Sequence, residues 1–306
     1  MNYAGRMNSF IFKGQNVFDA IEAYHGMNGI THLEFNYPEH IVGYDLDKIK
    51  EKIGDLKVNG LAVRWRDLFT NGNFTNPDSQ LRSKAIQLCK EATDVCKELG
   101  GSVITLWLEN DGFDYPFQMD YEKAWMQMIE AFQEIADYAP DMKYSIEYKP
   151  FEPRNFSLVD SVGTTLLLIE KIDRKNVGCT FDFCHMLMKH DSPAYGLALA
   201  AHMGKLFGLH MNDGYSQMDS GMIFASVNLA HAVEFIYYLK KYEYDGIVFF
   251  DTFPIREDAK KETQANIDSF QKICDLVDKI GMEKIEQVVS KCDGISAQRL
   301  VLDMLK

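Results

Sequence analysis

Four residues carry the chemistry best supported by this chain's residue types: Glu147, Asp182, His210 and Asp251. Glu147 lies in Tyr144-Ser-Ile-Glu-Tyr-Lys149. Asp182 ends Cys179-Thr-Phe-Asp182, His210 ends Phe207-Gly-Leu-His210, and Asp251 ends Val248-Phe-Phe-Asp251. Taken singly, an acid at a strand end often caps the next helix, and a lone histidine is often a hydrogen-bonded structural residue. Four such residues at neighbouring strand ends are a different matter. Carboxylates sharing one pocket repel and drive their pKa values upward. A divalent cation removes that penalty. Three carboxylates and one imidazole form a mostly oxygen, octahedral-leaning set that suits Mn²⁺ or Mg²⁺, with Co²⁺ also acceptable.

Neighbouring positions extend the set. Lys149 follows Glu147 by two residues, so both side chains leave the same face of one strand. There it either polarises a substrate oxygen or closes a salt bridge inside the fold. His185 comes three residues after Asp182 and can return to the same mouth. Asp219, nine residues past His210, is either a solvated loop acid or a ligand at a second, weaker metal position.

These residues need a frame that brings strand ends together. Short β-like runs recur at Met7–Phe12, Thr31–Asn36, Leu61–Trp65, Val103–Trp107, Lys143–Tyr148, Val177–Asp182, Leu206–Met211 and Ile247–Asp251. Between them lie amphipathic stretches such as Gln80–Leu99 and Tyr121–Tyr138, with apolar residues every three or four positions. Strands alternating with helices imply parallel pairing through crossovers. Eight strands are the number that closes an α/β barrel, whose active site sits at the C-terminal strand ends. Glycines before strands, at Gly60, Gly101 and Gly246, suit helix C-caps. The expected architecture is a (β/α)8 TIM barrel over residues 1–281 and a helical extension over 282–306, packed on the barrel or on a neighbouring subunit.

Composition narrows the function. The 306 residues are 46% hydrophobic and 12% aromatic, enough for a large core. The formal charge of −13 argues against nucleic acid and anionic membrane surfaces as partners. The six cysteines form no CxxC pair and read as free thiols of a reducing compartment. The N-terminus lacks the apolar run of a signal peptide, and no run of 18 apolar residues occurs, so the expected location is the cytoplasm.

At the level of motifs the chain resembles the xylose isomerase-like TIM-barrel superfamily. Ile146-Glu-Tyr-Lys-Pro-Phe-Glu-Pro-Arg154 resembles the xylose isomerase run EPKPxEPR. Leu68-Phe-Thr followed by Gly72-Asn-Phe-Thr-Asn-Pro-Asp78 resembles LFT…GGFTxND, and Thr105-Leu-Trp-Leu-Glu109 resembles a strand that supplies a substrate-stacking tryptophan. The resemblance implies a divalent-metal-dependent sugar isomerase or epimerase acting through a metal-bound open-chain or enediolate-like species. It makes Glu147, Asp182, His210 and Asp251 the metal site, with His185 and Asp219 as ligands of a second ion. It makes Lys149, His185 and Glu147 catalytic, and Trp107 and Phe69 the apolar walls around the sugar. It also implies a homo-oligomer.

Two departures stand out. The ring-opening histidine of xylose isomerases is replaced by Asn36, with His40 four residues on as a substitute. Arg64 and Arg66 have no family counterpart; they bind a substrate carboxylate or phosphate, or pair with the excess acid. The alternative activity on the same scaffold is a C-glycoside deglycosidase-type lyase, acting on a 3-oxo-glycoside with a small β-sandwich partner chain.

Overall fold

The structure, a computed structural model, describes residues 1–304; residues 305–306, the end of the expected extension, lie outside the described residues. Eight parallel strands close a barrel: β1 (Asn2–Arg6), β2 (Ile30–Tyr37), β3 (Lys57–Val63), β4 (Val103–Trp107), β6 (Lys143–Glu147), β8 (Val177–Asp182), β9 (Leu206–His210) and β10 (Ile247–Phe249). They follow chain order around the ring, and β1 pairs with β10 to close it. Two short strands, β5 (Gly112–Phe113) and β7 (Phe156–Ser157), pair antiparallel in the loops after β4 and β6. The helices between strands are α1 (Asn8–Ile11), α2 (Val17–Tyr24), α3 (Leu46–Ile53), α4 (Ser79–Glu98), α5 (Tyr121–Tyr138), α6 (Val162–Ile172), α7 (Phe183–Lys189), α8 (Pro193–His202) and α9 (Leu229–Lys241). After the last strand come α10 (Ala259–Ile280), α11 (Met282–Val289) and α12 (Gly294–Asp303).

The local reasons are visible in the sequence. α4, α5 and α10 each begin after an aspartate, Asp78, Asp120 or Asp258, whose side chain accepts a free backbone N–H of the first turn. α5 buries Ala124, Met128, Ile129, Ala131, Phe132, Ile135 and Ala136, an apolar stripe at helical spacing. Phe132 from that stripe meets Phe74 edge-on at 5.4 Å, and Phe74 meets Trp65 at 5.3 Å, which locks the β3 loop against the outer layer. Every residue of β8 is buried, as expected for a strand covered on both faces.

Three expectations are corrected. The first strand is Asn2–Arg6, not Met7–Phe12, whose apolar residues instead enter α1 and pack Phe10 edge-on against Tyr24. The pairing of β1 with both Ile247–Phe249 and Ile30–Glu34 outweighs the weak apolar pattern of Asn-Tyr-Ala-Gly-Arg. Gly60, Gly101 and Gly246 are not left-handed caps. Gly60 lies inside β3, where an added Cβ would stand 2.1 Å from the Val103 carbonyl oxygen; it is there for close approach of β3 to β4. Asp251 stands two residues beyond β10, on the loop rather than on the strand.

One loop depends on a single buried acid. Asp213 accepts the backbone N–H groups of Gly214, Val227 and Asn228 at 2.8–2.9 Å and the Asn228 amide at 2.7 Å. It thereby pins both ends of the long β9–α9 loop, which carries Asp219. Asp213→Ala removes the acceptor of three backbone N–H groups and is expected to lower the unfolding free energy by about 3 kcal/mol, measured by urea denaturation.

Candidate metal and sugar site

The barrel register decides which side chains meet. Trp107 stands beside Glu147, and Asp182 beside His210, which in turn pairs with Phe249. Glu147, Asp182, His210 and Asp251 converge so that one ligand atom from each lies within 4.8 Å of the others. His210 Nδ1 is 3.1 Å from Glu147 Oε1. Asp182 does two jobs: one oxygen accepts the His185 backbone N–H at 2.9 Å as the cap of α7, and the other accepts the Asn212 amide at 2.8 Å.

The electrostatics fit a cation. Burial, reinforced by Asp219, Glu147 and Asp251, pushes the Asp182 carboxyl up to about 7 against the opposing pull of His185. Burial also works against charge on Glu147, yet the His210 and His185 imidazoles outweigh it and hold that carboxyl below its usual range. A cluster in which burial and neighbouring carboxylates raise one acid's pKa, and which draws protons onto its imidazoles, is short of positive charge. Three carboxylates and an imidazole are a donor set that a divalent ion would satisfy.

A second group lies alongside. Lys149 Nζ is 3.0 Å from Asp219 Oδ2 and 3.0 Å from Glu152 Oε2. His185 Nε2 approaches the same Asp219 oxygen at 3.2 Å, while Nδ1 faces the Tyr148 carbonyl at 2.9 Å. Both partners are acceptors, so both ring nitrogens hold protons. Burial opposes the charge, but Asp182 and Asp219 outweigh it and lift the His185 pKa to about 9. The Lys149 ammonium thus already supplies a cation to Asp219.

These groups line a cavity of about 500 Å³ at the C-terminal mouth of the barrel. Trp107, Asn36, His40, Arg64, Lys149, His185 and Asp219 all contribute to its wall. Asp182 sits behind it, fully buried. Phe69 is not in the wall; it is buried in the hydrophobic core beneath the β3 loop, because the short helical turn Asp67–Phe69 points its ring inward. His40 Nδ1 accepts the Asn36 backbone N–H at 2.8 Å, and Nε2 donates to Asn8 Oδ1 at 2.8 Å. Burial holds its pKa down to about 4, so His40 is a neutral strut under Asn36 with neither nitrogen free. The Gly72–Asp78 loop is also a scaffold: Asp111 accepts the N–H groups of Asn73, Phe74 and Thr75 at 2.8–3.1 Å.

Two residues of the cavity escaped sequence reasoning, Glu34 and Arg6. Glu34 on β2 faces inward, 3.5 Å from His210 Nε2, and accepts the Asn59 amide at 2.7 Å. Its two-residue spacing from Asn36 was the signal that both share a face. Arg6 ends β1 and holds Asp251 at 2.5 Å, but the misplaced first strand hid it. Asn212 ties Asp182 to the Asp251 carbonyl and also accepts the Cys184 N–H at 2.8 Å.

The chain belongs to the xylose isomerase-like TIM barrel family, whose profile matches residues 18–281. It is similar to the xylose isomerase of Thermus thermophilus, with 31% identity over 194 residues that cover 61% of this chain and 50% of that protein. The chain therefore spans about half the length of that relative. In fold it is similar to a D-tagatose 3-epimerase-like protein, with a TM-score of 0.72 and 18% identity over 90% of this chain and 98% of the other. It is likewise similar to the IOLI protein with a binding zinc atom, with a TM-score of 0.69 and 16% identity over 90% and 98% of the two chains. No helix of the described residues is long and apolar enough to cross a membrane.

Asn212→Leu removes the clamp on Asp182 while keeping volume. It is expected to weaken Mn²⁺ binding roughly tenfold or more, the usual effect of losing a hydrogen-bond partner of a metal ligand. Equilibrium dialysis of the folded variant measures it.

Proposed function

We propose that this protein is a divalent-metal-dependent sugar isomerase or epimerase that moves a proton at a carbon beside a carbonyl. The observation that carries this reading is the convergence of Glu147, Asp182, His210 and Asp251, with Asp182 behind the cavity wall and the other three in it, beside a charged lysine and an aromatic wall. These four residues would hold the ion, and Mn²⁺ suits their oxygen-rich set. When bound, the ion supplies Lewis-acid polarisation of the sugar carbonyl.

The protein's own groups do the rest. Lys149 Nζ, kept protonated by Asp219 and Glu152 against the opposing effect of burial, donates to the substrate oxygen on which negative charge develops. The Glu147 carboxylate is the base for the substrate carbon. His185 holds a proton at Nε2 against Asp219 and is the acid that returns one. Trp107 covers the sugar and limits water at the reacting carbon. With both His40 nitrogens engaged and Asn36 in the ring-opening position, the favoured substrate arrives in open-chain form. A single ion is favoured because Lys149 already occupies the cationic place beside Asp219.

Chelation with EDTA is expected to abolish turnover, and Mn²⁺ to restore it while raising the melting temperature, because an ion bound only by the folded state stabilises it. A chelator-treated, ion-free protein that remains fully active overturns the reading. So does a panel in which no free pentose, hexose or ketose is converted while a 3-oxo C-glucoside releases its aglycone, the outcome expected of the lyase.

Lys149→Met keeps the apolar stem and deletes the charge that lies over Trp107. Steady-state kinetics are expected to show kcat reduced by about two orders of magnitude, the scale for one electrostatic donor at a developing oxyanion, with Mn²⁺ stoichiometry retained.

A further inference from the structure

Four arginine and lysine side chains line the cavity, and three of them already make close ion pairs. Arg6 Nε holds Asp251 at 2.5 Å. Lys149 is shared between Asp219 and Glu152. Arg66 bridges Glu39 at 2.6 Å and Glu109 at 2.8 Å. Arg64 is the exception. Among the described residues its guanidinium donates no hydrogen bond, and its Nε is buried without a partner. Its one ion pair is long, 3.9 Å to Glu109 Oε2, a buried oxygen that accepts no hydrogen bond, while Arg66 bonds the other oxygen of Glu109.

The guanidinium is nonetheless held in place. It lies 4.5 Å from the centroid of the Trp107 ring, so the indole that walls the sugar cavity also supports the arginine. The backbone N–H of Arg64 is bonded to the Tyr37 carbonyl at 2.8 Å, which fixes where the side chain departs. A supported guanidinium with vacant donors at the wall of a cavity is a fork for a planar anion. A neutral hydroxyl would leave the charge unmatched. A phosphate monoester would bring a charge of about −1.5 to −2 into a cavity that already holds Glu147, Asp219 and Asp251. One loosely paired guanidinium with vacant donors matches one carboxylate.

We propose that Arg64 is the specificity-determining residue of this site and that the substrate is a monosaccharide bearing a carboxylate, a sugar acid. This rests on the sugar isomerase or epimerase reading for the reaction, but the selection itself is a matter of binding and is tested without turnover.

The test is titration calorimetry of the Mn²⁺-loaded protein with three matched sets of probes: hexuronates, the corresponding neutral hexoses and the corresponding hexose 6-phosphates. The wild-type protein is expected to bind at least one hexuronate ten- to a hundredfold more tightly than its neutral hexose, roughly the scale of one hydrogen-bonded charge. Arg64→Gln is expected to bring that ratio to about one, and Arg64→Lys, which keeps the charge but loses the fork, to recover only part of it. Equal or tighter binding of the neutral hexose overturns the proposal, as does tighter binding of the hexose phosphate. An Arg64→Gln protein that retains the ratio also overturns it. The wild-type panel decides the matter even if the variants fold poorly. A hexuronate that binds selectively yet is never isomerised or epimerised leaves the selection standing and removes the reaction. Free neutral sugars that turn over while no hexuronate binds remove the selection and leave the reaction.

Discussion

Negative charge placed where water is scarce is the constraint on which the rest of this site depends. Glu147, Asp182 and Asp251 reach one point at the barrel mouth, and Asp219 and Glu34 stand close behind them. Left alone, such a group repels itself, and Asp182 answers by holding on to a proton. The surrounding structure is arranged to offset that repulsion. Arg6 grips Asp251 from β1, Asn212 donates to Asp182 from beyond β9, and the backbone of α7 caps the same acid. A divalent ion would supply the charge still missing, and its binding would then be linked to the stability of the barrel.

The lysine–histidine group beside it follows from the same constraint. Asp219 enters from the β9–α9 loop, which Asp213 pins at both ends. That loop delivers a carboxylate to Lys149 and His185 without adding it to the cluster of four. The two cations keep their protons because the acid is close, and they stand on the side of the cavity walled by Trp107. The site is thus divided into a half suited to an ion and a half suited to moving protons, both reached from one cavity.

Much of the frame was legible along the chain. β4 and β8 match their expected bounds, α5 likewise, and the remaining barrel strands except β1 are shifted by a few residues at their ends. Glu147, Asp182, His210 and Asp251 stood out because apolar strands that close on a charged residue are unusual without a purpose. β1 was lost because Asn-Tyr-Ala-Gly-Arg has little apolar pattern of its own and becomes a strand only between β10 and β2. With it went Arg6. Phe69 followed a motif likeness into a role the fold does not give it, since a three-residue helical turn sends its ring to the core.

The sequence by itself determined the alternation of strands and helices, hence the parallel barrel, and the residue type at each strand end. These follow from periodicities of two and 3.6 residues that act over a few neighbours. Tertiary structure alone decided which of those polar groups share protons and which stand unpaired. Asp219 is nine residues from His210 along the chain, yet its partners are Lys149 and His185. His40 could be read as a free base until its two nitrogens met Asn36 and Asn8. Arg64 and Arg66 are two residues apart beyond one strand end, yet Arg66 makes two close ion pairs and Arg64 a single long one. Pairing of this kind depends on distances between segments far apart in sequence, and barrel closure and register, not composition, set those distances.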